Sequence, residues 1–200
     1  MILKLAKKQK IWHYLTIFAQ KMRKLLNSEL SRKTVAEYKD SDKSQFIVVL
    51  DNVRSQNNIG SIFRTADAFM VEAIYLCGIT AQPPHRDIQK TALGATESVA
   101  WKYFSETLDA VKELKNNDVI LIAVEQVEGA VMLQDLIIEP DKKYAFIFGH
   151  EINGVNQQII NMCDLCVEIP QFGTKHSFNI TVSAGIVLWK ASMKNVNNTK

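Results

Sequence analysis

Three polar, glycine-bearing stretches hold the residues of this chain best suited to chemistry. The first, Asp51–Arg64, carries Asn58, Gly60 and Arg64; the second, Gly149–Val155, carries Gly149, Glu151 and Gly154; the third, Pro170–Asn179, carries Gly173, Ser177 and Asn179. Together they offer a guanidinium that binds anions, a carboxylate, and amides and a hydroxyl that orient a ligand by hydrogen bonding. Two of the stretches end at helix starts, where unpaired N–H groups and the positive end of the helix dipole face outward. Each residue also has a plainer reading. Arg64, with Asp67 one turn on, reads as a surface ion pair; Glu151 complements the start of a helix near Val155; the glycines serve turns, and Asn58 and Asn179 are caps.

The common signatures of other chemistries are missing. No G-x-G-x-x-G or G-x-x-x-x-G-K-[ST] follows a strand, and nothing matches G-x-S-x-G, H-E-x-x-H or a kinase catalytic loop. Cys163-x-x-Cys166 lacks a second cysteine pair, so both are expected to be small buried hydrophobes and no metal site is expected.

The elements that must position these stretches alternate along the chain. Strands are predicted at Phe46–Leu50, Ala73–Cys77, Val99–Phe104, Val119–Val124, Tyr144–Phe148 and Leu165–Ile169. Helices are predicted from Ile59 to Phe69, from a Ser105 cap to about Asn116, over Asn156–Met162, and from about Asn179 to Met193. Alternating strands and helices argue for an α/β fold, a parallel sheet with helices on both faces. In such a sheet ligands bind beyond the carboxyl ends of the strands, which selects the loops after Leu50, Val124, Phe148 and Ile169.

In order and spacing, the three stretches resemble the signature motifs of the SPOUT superfamily, and within it the TrmH-like ribose 2′-O-methyltransferases. The matches are Asn58-x-Gly60-x-x-x-Arg64, Phe148-Gly149-x-Glu151-x-x-Gly154 and Ile169-Pro170-x-x-Gly173-x-x-x-Ser177-x-Asn179, and the likeness covers roughly residues 46–192. The resemblance implies a deep C-terminal trefoil knot, which no periodicity in a sequence announces. It implies S-adenosylmethionine as cofactor, held by Gly149, Ile169, Ser177 and Phe178 with Val124 and Glu125 of the neighbouring loop. It implies a homodimer formed through the knot region, and transfer of a methyl group to a ribose 2′-hydroxyl of tRNA or rRNA. Arg64 then matches the family's catalytic arginine. A guanidinium is effectively always protonated, so stabilising a developing oxyanion and gripping a phosphate suits it better than acting as base. Asn58 would orient the ribose or Arg64, Glu151 would pair with and aim Arg64, and Asn179 would shape the same pocket. Ser177 would combine a helix cap with a cofactor contact, and His150 and His176 would form pocket walls. A catalytically inactive RNA-binding or assembly module on the same fold is the alternative.

Charge is distributed unevenly. Residues 1–44 hold eleven Lys and Arg against four Asp and Glu, whereas the other 156 hold thirteen against seventeen. Leu15, Phe18, Met22, Leu25 and Leu26 recur at helical spacing, with Lys21, Arg23 and Lys24 on the other side. Residues 1–44 are therefore expected to form a basic helical arm for RNA, ahead of a methyltransferase domain over 45–200. Arg86, Lys90 and Lys175 are further candidate RNA phosphate contacts, with tRNA the first expectation and rRNA the second. No apolar run reaches the ~20 residues of a membrane span, no signal peptide is evident, and an odd number of cysteines suits the cytoplasm.

Overall fold

A computed structural model of the protein describes residues 23–197. The chain divides into two compact units, residues 1–33 and 34–200. In the first, the described residues form a single 3₁₀ turn at Asn27–Glu29. The Glu29 carboxylate accepts the Leu26 N–H at 2.7 Å and pairs with the Arg23 guanidinium at 2.6 Å. Leu26 is extended, so the expected helix does not run through Leu25 and Leu26, and both are exposed. The rest of that apolar stripe, and Lys21, lie outside the described residues.

The second unit opens with α1 (Val35–Asp40), started by a reciprocal cap. The Thr34 hydroxyl accepts the Glu37 N–H at 3.2 Å, and the Glu37 carboxylate accepts the Thr34 N–H at 2.7 Å. Seven strands follow: β1 (Phe46–Asp51), β2 (Ala73–Cys77), β3 (Ala100–Phe104), β4 (Ile120–Val124), β5 (Val131–Met132), β6 (Tyr144–Phe148) and β7 (Leu165–Glu168). Between them lie α2 (Gln56–Ala68), α3 (Arg86–Ala92), α4 (Ala95–Ser98), α5 (Thr107–Asn116) and α6 (Gln157–Ile160), and α7 (Ile180–Asn197) closes the chain. All pairings are parallel, in the order β3-β2-β1-β6-β4-β7-β5.

Strand β1 shows why the sheet is covered on both sides. All six of its residues are buried, and the pleat sends alternate side chains to opposite faces. Phe46, Val48 and Leu50 join a core with Tyr38, Ile59, Phe63, Ile88, Val187 and Leu188, from α1, α2, α3 and α7. Ile47 and Val49 join a second core with Val111 and Leu114 of α5 and Ile159 of α6.

The local expectations hold at most elements, with three corrections. Ser105 does not cap α5: Glu106 occupies that position, without a side-chain cap bond. Ser177 does not cap α7; the Asn179 side chain takes the Thr181 N–H instead, at 2.9 Å. The segment after Pro84, for which no element is predicted, contains α3 and α4. His85 Nδ1 accepts the Asp87 N–H at its start, and Leu93 ends α3 in the left-handed conformation.

Candidate active site

Strands β1, β6, β4 and β7 lie side by side in the sheet although they are far apart in the chain. The direction of strand addition reverses here, so four successive carboxyl ends open a crevice at one edge. The loops leaving these ends are the three polar stretches and the Glu125–Gln126 loop. The second and third stretches and the Glu125–Gln126 loop line a cavity of about 580 Å³. Its lining includes Val124, Glu125, Gly149, Ile169, Ser177 and Phe178, and also Glu151, Asn179 and both expected wall histidines, His150 and His176.

Side chains tie these loops to one another. The Glu151 carboxylate accepts N–H groups from Arg54 at 3.1 Å and Ser55 at 2.9 Å, and the Asn58 amide donates to it at 3.4 Å. Asn179 donates to the Asn58 side-chain oxygen at 3.3 Å. Asn58, Glu151 and Asn179, separated by 93 and 121 residues from the first to each of the others, thus form one chain of contacts. Burial works to raise the Glu151 carboxyl, but the N–H bonds from Arg54 and Ser55, its own N–H and the Asn58 amide outweigh it and hold it below its ordinary value.

Arg64 is the exception. The Glu151 carboxylate is taken up where α2 begins, and Arg64 lies farther along that helix, so the expected Glu151–Arg64 pair does not form among the described contacts. Nor does the surface pair with Asp67 form among the described contacts; the Asp67 carboxylate accepts the Ser98 hydroxyl at 2.5 Å. The exposed Arg64 instead lines a second hollow of about 370 Å³ with Ser61, Thr65, Lys90, Thr91, Leu93, Thr181 and Val182. At the start of α7, Thr181 of the second hollow donates its hydroxyl to Asn179 of the first at 2.5 Å. Arg86 is exposed on the first turn of α3 and Lys175 on the third loop, neither lining a hollow.

The main cavity has a distinctive charge. Glu125, Glu151 and Glu168 line it, and no Lys or Arg does. Such a lining repels a phosphate-bearing nucleotide and suits a ligand with net positive charge. Among the described residues no cluster of three or more His, Cys, Asp or Glu is placed to hold a metal ion. Burial pushes the Cys163 thiol up to about 12, aided by Cys166 and Asp164, and raises that of Cys166.

Sequence reasoning missed two participants. Asp51, almost fully buried at the end of β1, accepts the Thr107 hydroxyl at 2.5 Å, the Asn52 amide at 2.8 Å and the Asn156 N–H at 3.1 Å. It fastens the exit of the second loop to β1, and its signal was a lone carboxylate closing an apolar strand. Gln126 reaches the third loop, with no signal in its neighbours.

The sequence profile of the SpoU rRNA Methylase family matches residues 45–189, which take in all four loops. The chain belongs to that family. It is 32% identical over 142 residues to the 23S rRNA (guanosine-2′-O-)-methyltransferase RlmB of Neisseria meningitidis, covering 71% of this chain and 56% of that one. It is 28% identical over 158 residues to a putative TrmH family tRNA/rRNA methyltransferase of Staphylococcus aureus, covering 79% of this chain and 62% of that one. The chain therefore spans a little over half the length of the curated relatives it matches. Among solved structures, the A. aeolicus TrmH/SpoU tRNA modifying enzyme shares the fold with a TM-score of 0.72 at 23% identity, over 82% of each chain. The AdoMet-bound rRNA methyltransferase from Sinorhizobium meliloti aligns with a TM-score of 0.71 at 26% identity, over 78% of this chain and 60% of that one.

Proposed function

We propose that this SpoU family chain transfers the methyl group of S-adenosylmethionine to a ribose 2′-hydroxyl of RNA. The observation that carries the reading is the meeting of Asn58, at the start of α2, with Glu151 and Asn179, which line the cavity from two distant loops. The cavity suits the cofactor in size, within the roughly 300–1,000 Å³ of small-molecule sites. It suits it in charge, because three carboxylates and no cation face a molecule whose sulfonium and ammonium outweigh its one carboxylate. Val124, Glu125, Gly149, Ile169, Ser177 and Phe178 are the residues that hold it. When bound, it supplies an activated methyl group, so the protein's own task is orientation and charge.

Asn58 orients the ribose with its side-chain amide, Asn179 shapes the same pocket through its bond to Asn58, and Glu151 holds Asn58 in place through the bond it accepts. Arg64 stabilises the negative charge that develops on the 2′-oxygen and grips a neighbouring phosphate. Lys90, in the same hollow, adds charge for that phosphate, and Arg86 and Lys175 contact the RNA backbone farther out. The Ser177 hydroxyl serves the cofactor pocket. Lys21, Arg23 and Lys24 recruit RNA from an arm within residues 1–44, ahead of the methyltransferase domain over 45–200.

A deep trefoil knot spanning residues 149–179 is supported by the sheet order, with β6 between β1 and β4 and β7 beyond β4. A homodimer is supported by Val182, Trp189 and Met193, exposed at helical spacing along α7. The free cysteines suit a reducing cytoplasm. Transfer RNA is the first substrate to test and ribosomal RNA the second. Incubating the purified protein with radiolabelled S-adenosylmethionine and each RNA, then mapping the label, is expected to place it on a ribose 2′-oxygen. Label on a base, or none on any RNA, overturns the reading.

A further inference from the structure

The contacts around the main cavity form a ring. Glu151 joins the second loop to the first, and Asn179 joins the third to the first through Asn58. Among the described residues no side-chain hydrogen bond joins the second and third loops directly. Two adjacent residues at the end of β4 close that gap. One Glu125 carboxylate oxygen accepts the Val155 N–H of the second loop at 3.0 Å, and the other accepts the Gln126 N–H at 2.9 Å. The Gln126 side-chain amide donates to the His176 carbonyl of the third loop at 2.9 Å.

Each half has a physical signature. Gly154 has φ +66°, and a Cβ there would lie 2.1 Å from the Glu125 carboxylate, so that loop lets the carboxylate lie against its backbone. Val155, next along, is buried. The third loop lacks comparable anchoring: residues 172–179 are all exposed. Its tie to β4 through Gln126 falls on the residue immediately before Ser177.

We infer that Glu125 and Gln126 are positioning residues that clamp the two cofactor loops at the separation the bound cofactor requires, with Gln126 the half that sets the third loop. The inference rests on the cavity being the S-adenosylmethionine site. Neither residue performs chemistry. Glu125 fixes the rigid second loop, and Gln126 transmits that position to an exposed segment that has few contacts of its own.

The test uses the full chain with Gln126→Glu, which keeps the side chain's shape but removes its donor, and Gln126→Arg, which keeps a donor at that site. Tryptic cleavage after Lys175 without cofactor, under native conditions, is expected to be several-fold faster in Gln126→Glu, while the melting temperature stays that of wild type. Calorimetric affinity for S-adenosylhomocysteine is expected to fall roughly 3- to 10-fold, as one hydrogen bond warrants, with partial recovery in Gln126→Arg. Unchanged cleavage after Lys175 overturns the clamp, and faster cleavage with wild-type affinity overturns its role toward the cofactor. Should wild-type protein bind neither S-adenosylhomocysteine nor S-adenosylmethionine, the methyltransferase reading is what fails. The cleavage difference, measured without ligand, then still decides whether the third loop is clamped.

Discussion

A guanidinium is effectively always protonated in proteins, so what Arg64 can do for a hydroxyl is electrostatic. Its place in a hollow with Lys90, apart from Glu151, fits a group that meets RNA and leaves cofactor binding to others. Arg64→Ala is therefore expected to lower kcat by about 10²–10³-fold, as loss of a donor aimed at an oxyanion does. Affinity for S-adenosylhomocysteine should stay unchanged by calorimetry, and near-wild-type turnover would remove Arg64 from the reaction. Arg64→Lys should recover little, since an ammonium lacks the planar fork that grips a phosphate. Glu151 behaves differently because it titrates. Its carboxyl lies below the ordinary value of 4.5, held there by N–H donors that outweigh burial. A carboxyl depressed in the folded state contributes stability that is complete above its unfolded value and is lost as pH falls through its folded one. Wild type should thus melt above Glu151→Gln from neutral pH down to about pH 4.5. The gap should close on further acidification, and a gap independent of pH would contradict this account.

Helix α2 carries Asn58 and Arg64 and must sit close to α3 to do so. A Cβ on Gly60 would lie 2.2 Å from both the Ile88 carbonyl oxygen and the Thr91 hydroxyl, and the carbonyl is backbone that cannot swing aside. Alanine favours a helix by about 1 kcal/mol over glycine, yet forcing the helices apart costs typically 1–3 kcal/mol. Gly60→Ala should come out destabilised by up to about 2 kcal/mol in urea titration, and a stabilised variant would show that the two helices separate freely. Elements such as α2 were legible in the sequence because an apolar face or a buried strand repeats over several residues, as Ala73–Cys77 and Tyr144–Phe148 do within one residue of their bounds. Helix α3 was not, since Pro83-Pro84 and a left-handed Leu93 bracket only seven residues with two buried positions. The site divides along the same line. Asn58, Glu151 and Asn179 stood out by type and spacing, while Gln126 did not, because its partner is a backbone carbonyl 50 residues away and any residue at position 176 supplies one.

At the scale of the whole chain, charge separates the two tasks that the proposed methylation of an RNA requires. The cavity is lined by carboxylates, whereas the basic residues concentrate in positions 1–44. Phosphate contacts release counterions, so RNA affinity should fall steeply with salt, while cofactor affinity should change little. Lys21, Arg23 and Lys24 are the arm residues on which this turns. Arg23 is exposed and pairs with Glu29 at 2.6 Å, a surface pair that a phosphate can replace at little cost. Changing all three to Gln in the full chain should weaken RNA binding and reduce the slope of log affinity against log salt by about two, at roughly 0.7 per lost phosphate contact. The melting temperature and S-adenosylhomocysteine affinity should match wild type. An unchanged slope would mean that RNA is held by Arg64, Lys90 and their neighbours alone. A fall in both affinities would couple the arm to the cavity, which the separation of charge argues against.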